Sequence, residues 1–407
     1  MSNRVLHIAL PVLGEYANLS NFLDCLEKQS FKKFKIYICI NQYEHWWDEA
    51  SKLHYCLDNA ESLSFLKSLD SDIEIVDRSS KGFGWLKKKG GVGWARKILM
   101  DRIAEVGNKD DIIVSMDADT YYPENYLVSI IDFFNEHPDN IGLSVPYFHQ
   151  LIGDSSDRQI LRYEIYMRYY ALNMLRIKNP YNFTALGSAL ALPVWAYHKI
   201  GGMTPVKSGE DFYLLQKLVK NGQLGMWADT TAFPASRYSD RVLFGTGPAL
   251  IKGAKGNWDS YPLYIPDSFD LIHKTFNLFP TLFERDVKTP MSGFLSAQFR
   301  SNDLWGPLRR NYRDRGNFIK ACINKVDGLR ILQFLRYRKS MMEPIGDETV
   351  LIEFLQTNFA KKMDSGLHAV LNSLNYADSS IQDIDLLRQY LFKQEMITRK
   401  KFMFKKQ

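Results

Sequence analysis

Four short apolar runs, rich in β-branched residues, mark the first third of the chain: Val5 to Leu10, Lys35 to Ile40, Ile73 to Val76 and Ile112 to Ser115. Hydrophobicity that is continuous over so few residues indicates strands covered on both faces. Between the first two runs, Leu19, Phe22, Leu23 and Leu26 fall at helical spacing and line one face of an amphipathic helix. The same spacing returns in Leu127, Ile130, Ile131 and Phe134, bracketed by Pro123 and by His137-Pro138. This βαβαβαβ order predicts an α/β fold with a mostly parallel sheet between helices, which binds ligands beyond the carboxyl ends of its strands. From about residue 290 strand runs disappear, and "DETVLIEFLQTNF" and "SSIQDIDLLRQYLFKQ" begin with cap residues and continue with helical apolar spacing. The expected organisation is a domain over 1–289 followed by a helical C-terminal region over 290–407.

Composition narrows the class. The chain is 45% hydrophobic, enough for a sizeable core, and its net charge of +6 is small against 52 basic and 46 acidic residues. That balance does not call for nucleic acid as partner, and it suits phosphorylated ligands or anionic lipid. The four cysteines, Cys25, Cys39, Cys56 and Cys322, form no CxxC pair, which argues against a disulfide framework or a cysteine metal site. The N-terminal apolar run, stopped by Pro11, is too short for a signal-peptide core, and no later run reaches the roughly 18 apolar residues of a spanning helix. A cytoplasmic location follows, with the inner membrane face within reach of the basic, aromatic tail "TRKKFMFKKQ".

The candidate chemistry lies at one strand end. "MDADTYY" sets Asp117 and Asp119 one residue apart immediately after the run ending at Ser115. Two such carboxylates can share a hard cation, and Mg²⁺ or Mn²⁺ commonly takes one or two carboxylates plus substrate phosphates. In "KSGEDFYLL", Glu210 and Asp211 open a helix whose apolar positions Phe212, Leu215 and Val219 are expected to form one face, with Gly222 after its end. A carboxylate there is kept ionised by the helix dipole, which suits a general base. "FPASRYSDRVLFGTGPAL" adds Arg237 and Arg241 beside Gly245 and Gly247, a combination able to hold a diphosphate or an anionic acceptor.

In order along the chain, "VLHIALPVLGEYANLSNFLDCLEKQSFKKFKIYICIN", "GGVGWARKILMD", "MDAD" and "ALGSALALPVWAYHKIGGMTPVKSGEDFYLLQKLVKNG" resemble the ordered motifs of family 2 glycosyltransferases with the GT-A nucleotide-sugar-binding fold. The resemblance spans roughly residues 5 to 225. It implies transfer of a sugar from a nucleotide-diphosphate donor to a saccharide, lipid-linked or small-molecule acceptor, with Mn²⁺ or Mg²⁺ as cofactor and inversion at the anomeric carbon. By that resemblance Asp119 is a metal ligand, and Asp117 meets the ribose or reaches the metal through water. Glu15, Asn41 and Arg96 contact the nucleotide, Asp211 is the catalytic base, and Glu210 orients it or binds acceptor. Asn41 stands where the family usually has an aspartate, which leaves the base preference open. A retaining transferase, a sugar nucleotidyltransferase and a catalytically silent nucleotide-sugar-binding module are the alternatives. The single glycine of "PVLGEY" disfavours the nucleotidyltransferase.

Overall fold

The computed structural model describes residues 4–87, 89–241 and 245–404. The chain divides into two compact units. The first comprises 1–160, 183–257 and 399–407, and the second 161–182 and 258–398.

Among the described residues the first unit is built on nine strands: β1 (Leu6–Val12), β2 (Phe34–Asn41), β3 (Ile73–Arg78), β4 (Ile112–Ser115), β5 (Thr120–Tyr121), β6 (Gly142–Ser144), β7 (Leu190–Pro193), β8 (Leu224–Gly225) and β9 (Phe233–Pro234). Seven of them form one sheet in the order β3-β2-β1-β4-β7-β6-β8, and β5 pairs with β9 separately. The strands β3, β2, β1 and β4 run parallel, as their apolar runs predict, and β7 enters antiparallel to both β4 and β6. Pro11 does not end the first strand. The β1–β4 pairing stops at Ala9 opposite Ser115, while the β1–β2 pairing continues to Val12 opposite Ile40. Proline is tolerated there because β4 has already left the ladder.

The helices α1 (Tyr16–Glu27), α2 (Leu53–Ser68), α3 (Val92–Val106), α4 (Tyr126–Glu136), α5 (Ser156–Arg176), α6 (Val194–Lys199), α7 (Glu210–Asn221) and α8 (Thr246–Ala254) accompany these strands. The predicted stripe of α4 is buried along its length at Leu127, Ile130, Ile131 and Phe134. Each of these side chains contributes about 1.5–3 kcal/mol by leaving water. Helix α7 differs from expectation in its buried face. Leu214, Leu215 and Leu218 are buried, while Phe212 and Val219 are half-exposed. The stripe is turned because Glu210, the first residue of the helix, is itself buried.

Helix α5 continues into the second unit, which among the described residues is otherwise helical: α9 (Pro266–Asn277), α10 (Phe279–Glu284), α11 (Ser292–Phe299), α12 (Gly306–Asn311), α13 (Arg315–Lys325), α14 (Gly328–Ser340), α15 (Asp347–Phe359), α16 (Ser365–Asn372) and α17 (Ile381–Phe404). Asp314, Asp327 and Asp364 cap α13, α14 and α16 by accepting from backbone N–H groups. In its interior Arg168 bonds Glu164 and Glu395, each at 2.9 Å, with all three side chains fully buried. The compact units part after Asn257, and α9 and α10 gather with the later helices. No described helix is long and apolar enough to cross a membrane. The tail that begins at Thr398 is partly packed: Arg399 is buried and donates to the Met226 and Thr184 oxygens, and Met403 is buried. Residues 405–407 of that tail lie outside the described residues.

Candidate active site

The carboxyl ends of β1, β2 and β4 converge on one edge of the sheet, and the sequence-predicted residues of the first unit gather there. After Ser115 the chain leaves β4 into a turn that carries Asp117 and Asp119 and re-enters a strand at Thr120. The turn is fixed from beneath by Tyr122, whose hydroxyl accepts from the Asp117 backbone N–H at 2.9 Å and donates to the Ser188 carbonyl at 3.0 Å. Tyr122 is fully buried, and its role is one that sequence reasoning missed although it sits inside "MDADTYY". An aromatic with a polar tip placed just after the acidic pair was the available signal.

Arg96, from the first turns of α3, is buried and spans two acids. One terminal nitrogen donates to Asp117 Oδ1 at 2.5 Å and the other to Glu210 Oε1 at 2.5 Å. It therefore ties the β4 turn to the first residue of α7. Burial opposes its charge, but Asp117, Glu210 and Asp211 outweigh this and hold the guanidinium above its usual range. Two glycines make room for the bridge. A Cβ on Gly187 would lie 2.2 Å from Arg96 Nη1, and one on Gly93 would lie 2.3 Å from the Val206 carbonyl. With both terminal nitrogens bonded to carboxylates, Arg96 acts here as a strut between the two halves of the site.

Glu210 is buried, and that burial pushes its carboxyl up to about 7 against the pull of Arg96. Asp211 is half-exposed, and its bond at 2.7 Å comes from the neighbouring Phe212 N–H. The two acids at the α7 N-terminus are thus unlike: Glu210 is locked inward and Asp211 faces the more open side.

A second ionic cluster lies across the turn. Arg237 bonds both Glu15 and Asp119, the latter at 2.7 Å, and Arg241 bonds Glu15 and the Leu13 carbonyl, the latter at 2.6 Å. Burial, with the Asp119 charge adding to it, pushes the Glu15 carboxyl above its usual range although both arginines pull it down. Burial also works against charge on Arg237, and Asp119 and Glu15 overcome it. Among the described residues the buried Arg237 Nε meets no hydrogen-bond partner, so there the guanidinium retains an unused donor. Residues 242–244 of the arginine and glycine segment lie outside the described residues.

Asn41 ends β2 and is buried. Its amide donates to the Val12 carbonyl at 2.9 Å, and its Oδ1 accepts from Trp85 Nε1 at 3.2 Å. It thus fastens the ends of β1 and β2 to the loop after β3.

Among the described residues no cluster of three or more His, Cys, Asp or Glu side chains could enclose a metal ion. Asp117 and Asp119 each keep one carboxylate oxygen outside the arginine bonds described above. Two carboxylates suit a cation whose remaining ligands are substrate phosphates and water, and they do not suit a closed protein cage.

No protein-family model matches the chain, and neither does any curated protein. Similar solved structures include S. aureus TarS 1–349 in complex with UDP-GlcNAc, at 12% identity and TM-score 0.42, covering 83% of this chain and 92% of that one. Another is the mannosyltransferase PcManGT from Pyrobaculum calidifontis in complex with GDP-Man and Mn²⁺, at 13% identity and TM-score 0.36, covering 95% and 87%. GalNAc-T7 with UDP, GalNAc and Mn²⁺ matches at 11% identity and TM-score 0.38, covering 78% of this chain and 55% of that chain.

Proposed function

We propose that the chain is a glycosyltransferase of the GT-A, family 2 type that moves a sugar from a nucleoside diphosphate to an acceptor hydroxyl with inversion. The observation that carries this reading is the joining of Asp117, beside Asp119 at the end of β4, to the N-terminus of α7 through one buried arginine. Donor-side acids and a candidate base are thereby held in one frame, as a single displacement requires. Asp117 and Asp119 would hold a Mn²⁺ or Mg²⁺ ion together with the donor diphosphate, and that ion would neutralise charge on the leaving group. Arg237, with its unused Nε donor, and Arg241 add positive charge beside Asp119 for the same leaving group.

Asp211 takes the proton of the acceptor hydroxyl as its oxygen bonds to the anomeric carbon and the bond from that carbon to the diphosphate oxygen breaks. Glu210 does not share this task, because its carboxylate is buried against Arg96. It positions the first turn of α7 instead. Asn41 and Glu15 border the nucleotide end, where Asn41 shapes the base pocket through Trp85. Incubation with a panel of nucleotide sugars and Mn²⁺, followed by chromatography of the nucleotides, tests the reading. Release of a nucleoside diphosphate from a subset of donors is expected, and no release across the panel, with any acceptor class, contradicts it.

A further inference from the structure

The loop leaving the carboxyl end of β3 reads "KGFGWLKKK" over 81–89, and apart from Trp85, which bonds Asn41, its side chains have no part in the chemistry above. Between Ser79 and Gly91 the chain holds four lysines and no acidic residue. Leu86 is 74% exposed and Phe83 57%, while Trp85 between them is buried. This inversion of the usual burial is built in. Trp85 N donates to the Gln42 carbonyl at 2.8 Å, and the Trp85 carbonyl accepts from Glu44 N at 2.9 Å. The Glu44 carboxylate accepts from the Gly82 and Gly84 N–H groups, each at 2.8 Å, so that acid is spent on the loop's backbone. The loop is therefore held with Phe83 and Leu86 exposed, and Lys81, Lys87 and Lys89 of the same loop are exposed with them. Lys81 also lies over the Trp47 ring at 5.5 Å and, with Lys67, borders a groove of about 440 Å³ lined by Leu63, Ser79 and Ser80.

Exposed apolar side chains beside exposed lysines match a membrane interface, where apolar groups enter the headgroup region and lysine stems extend so that the ammonium meets lipid phosphate. We propose that this loop docks the protein on an anionic lipid surface through its described residues, with Phe83 and Leu86 inserted and Lys81, Lys87 and Lys89 paired with phosphates. The loop starts from the sheet edge that carries Asp117 and Asp119, so docking sets the site at the membrane surface and selects an acceptor carried by a lipid. That acceptor class rests on the transferase reading, whereas the docking does not.

Flotation of the full chain with phosphatidylcholine vesicles, with and without phosphatidylglycerol, tests the proposal. The wild type should float with the anionic vesicles only, and Lys87→Gln/Lys89→Gln should bind them about 30-fold more weakly, about 5-fold for each lysine. Phe83→Ser/Leu86→Ser should lose at least about 10-fold. These side chains are exposed, so thermal unfolding should be unchanged. Lys401→Gln, in the tail, should float like the wild type. Failure of the wild type to float with anionic vesicles overturns the proposal, as does equal flotation with neutral ones. Loop variants that float like the wild type overturn it too. If vesicle binding follows this pattern while no nucleotide sugar is turned over, the transferase reading fails and the docking stands.

Discussion

Replacing Arg96 by methionine keeps an unbranched chain of similar length and removes the charge that joins Asp117 to Glu210. The Arg96 and Glu210 side chains are each 4% exposed, so the change strands a carboxylate in a dry site. Burial already lifts Glu210 to about 7 with the arginine present, and without it the group is protonated at neutral pH. Removing one partner of a buried pair costs about 3–5 kcal/mol. Glu210→Gln should cost less, about 1–2 kcal/mol, because Arg96 keeps its bond to Asp117. The double variant Arg96→Met/Glu210→Gln leaves no uncompensated charge at Glu210, so its cost should fall below the sum of the single changes by about 1–3 kcal/mol. Urea denaturation followed by tryptophan emission measures all three, with Trp85 and Trp94 in the same unit as Arg96. An Arg96→Met cost under about 1 kcal/mol, or single costs that add within about 0.5 kcal/mol, would refute the strut.

Asp211→Asn should bind nucleoside diphosphate with near wild-type affinity while kcat falls by at least about 100-fold, and transfer at near wild-type rate would make Asp211 a helix cap. Glu210 gives a pH dependence whose sign follows from its raised carboxyl. Between about 4.5 and about 7 the folded chain holds the proton and the unfolded chain has released it. Its contribution is therefore complete below the lower value and is lost as pH rises through the upper one. Relative to Glu210→Gln, the wild type should lose about 1–3 kcal/mol across that window, and a difference that does not vary with pH would contradict this. Arg237→Gln removes a guanidinium from both Glu15 and Asp119, and it should weaken nucleoside diphosphate binding by about 10-fold or more in calorimetry. Equal or tighter binding would show that the arginine guards the acids instead of serving the ligand.

The legible parts of the fold were those fixed by local burial. The runs at 6–12 and 112–115 are buried at every position, as strands covered on both faces are, and uniform apolar side chains made them legible; the strand at 34–41 is buried over its second half, and the one at 73–78, half-exposed throughout, was marked by its Ile and Val residues. Asp117 and Asp119 were readable as a strand-end pair because an abrupt change from apolar to acidic marks where a buried strand meets solvent. Their ionic partners were not readable. Arg96 lies 21 residues from Asp117 and 114 from Glu210 in sequence, and no periodic pattern encodes a contact of that range. The buried face of α7 was misjudged for a related reason: its first residue, Glu210, is turned inward to Arg96, a partner distant in sequence.

Whether the acids after β4 bind a nucleoside diphosphate through a cation is decided by calorimetric titration of UDP and GDP into the wild type and Asp119→Ala, each with and without Mn²⁺. Saturable binding of at least one diphosphate to the wild type is expected in the presence of Mn²⁺, with its loss in Asp119→Ala, which should unfold at the wild-type temperature. Binding to Asp119→Ala that equals the wild type, or no binding of either diphosphate to the wild type with the metal present, would contradict this expectation.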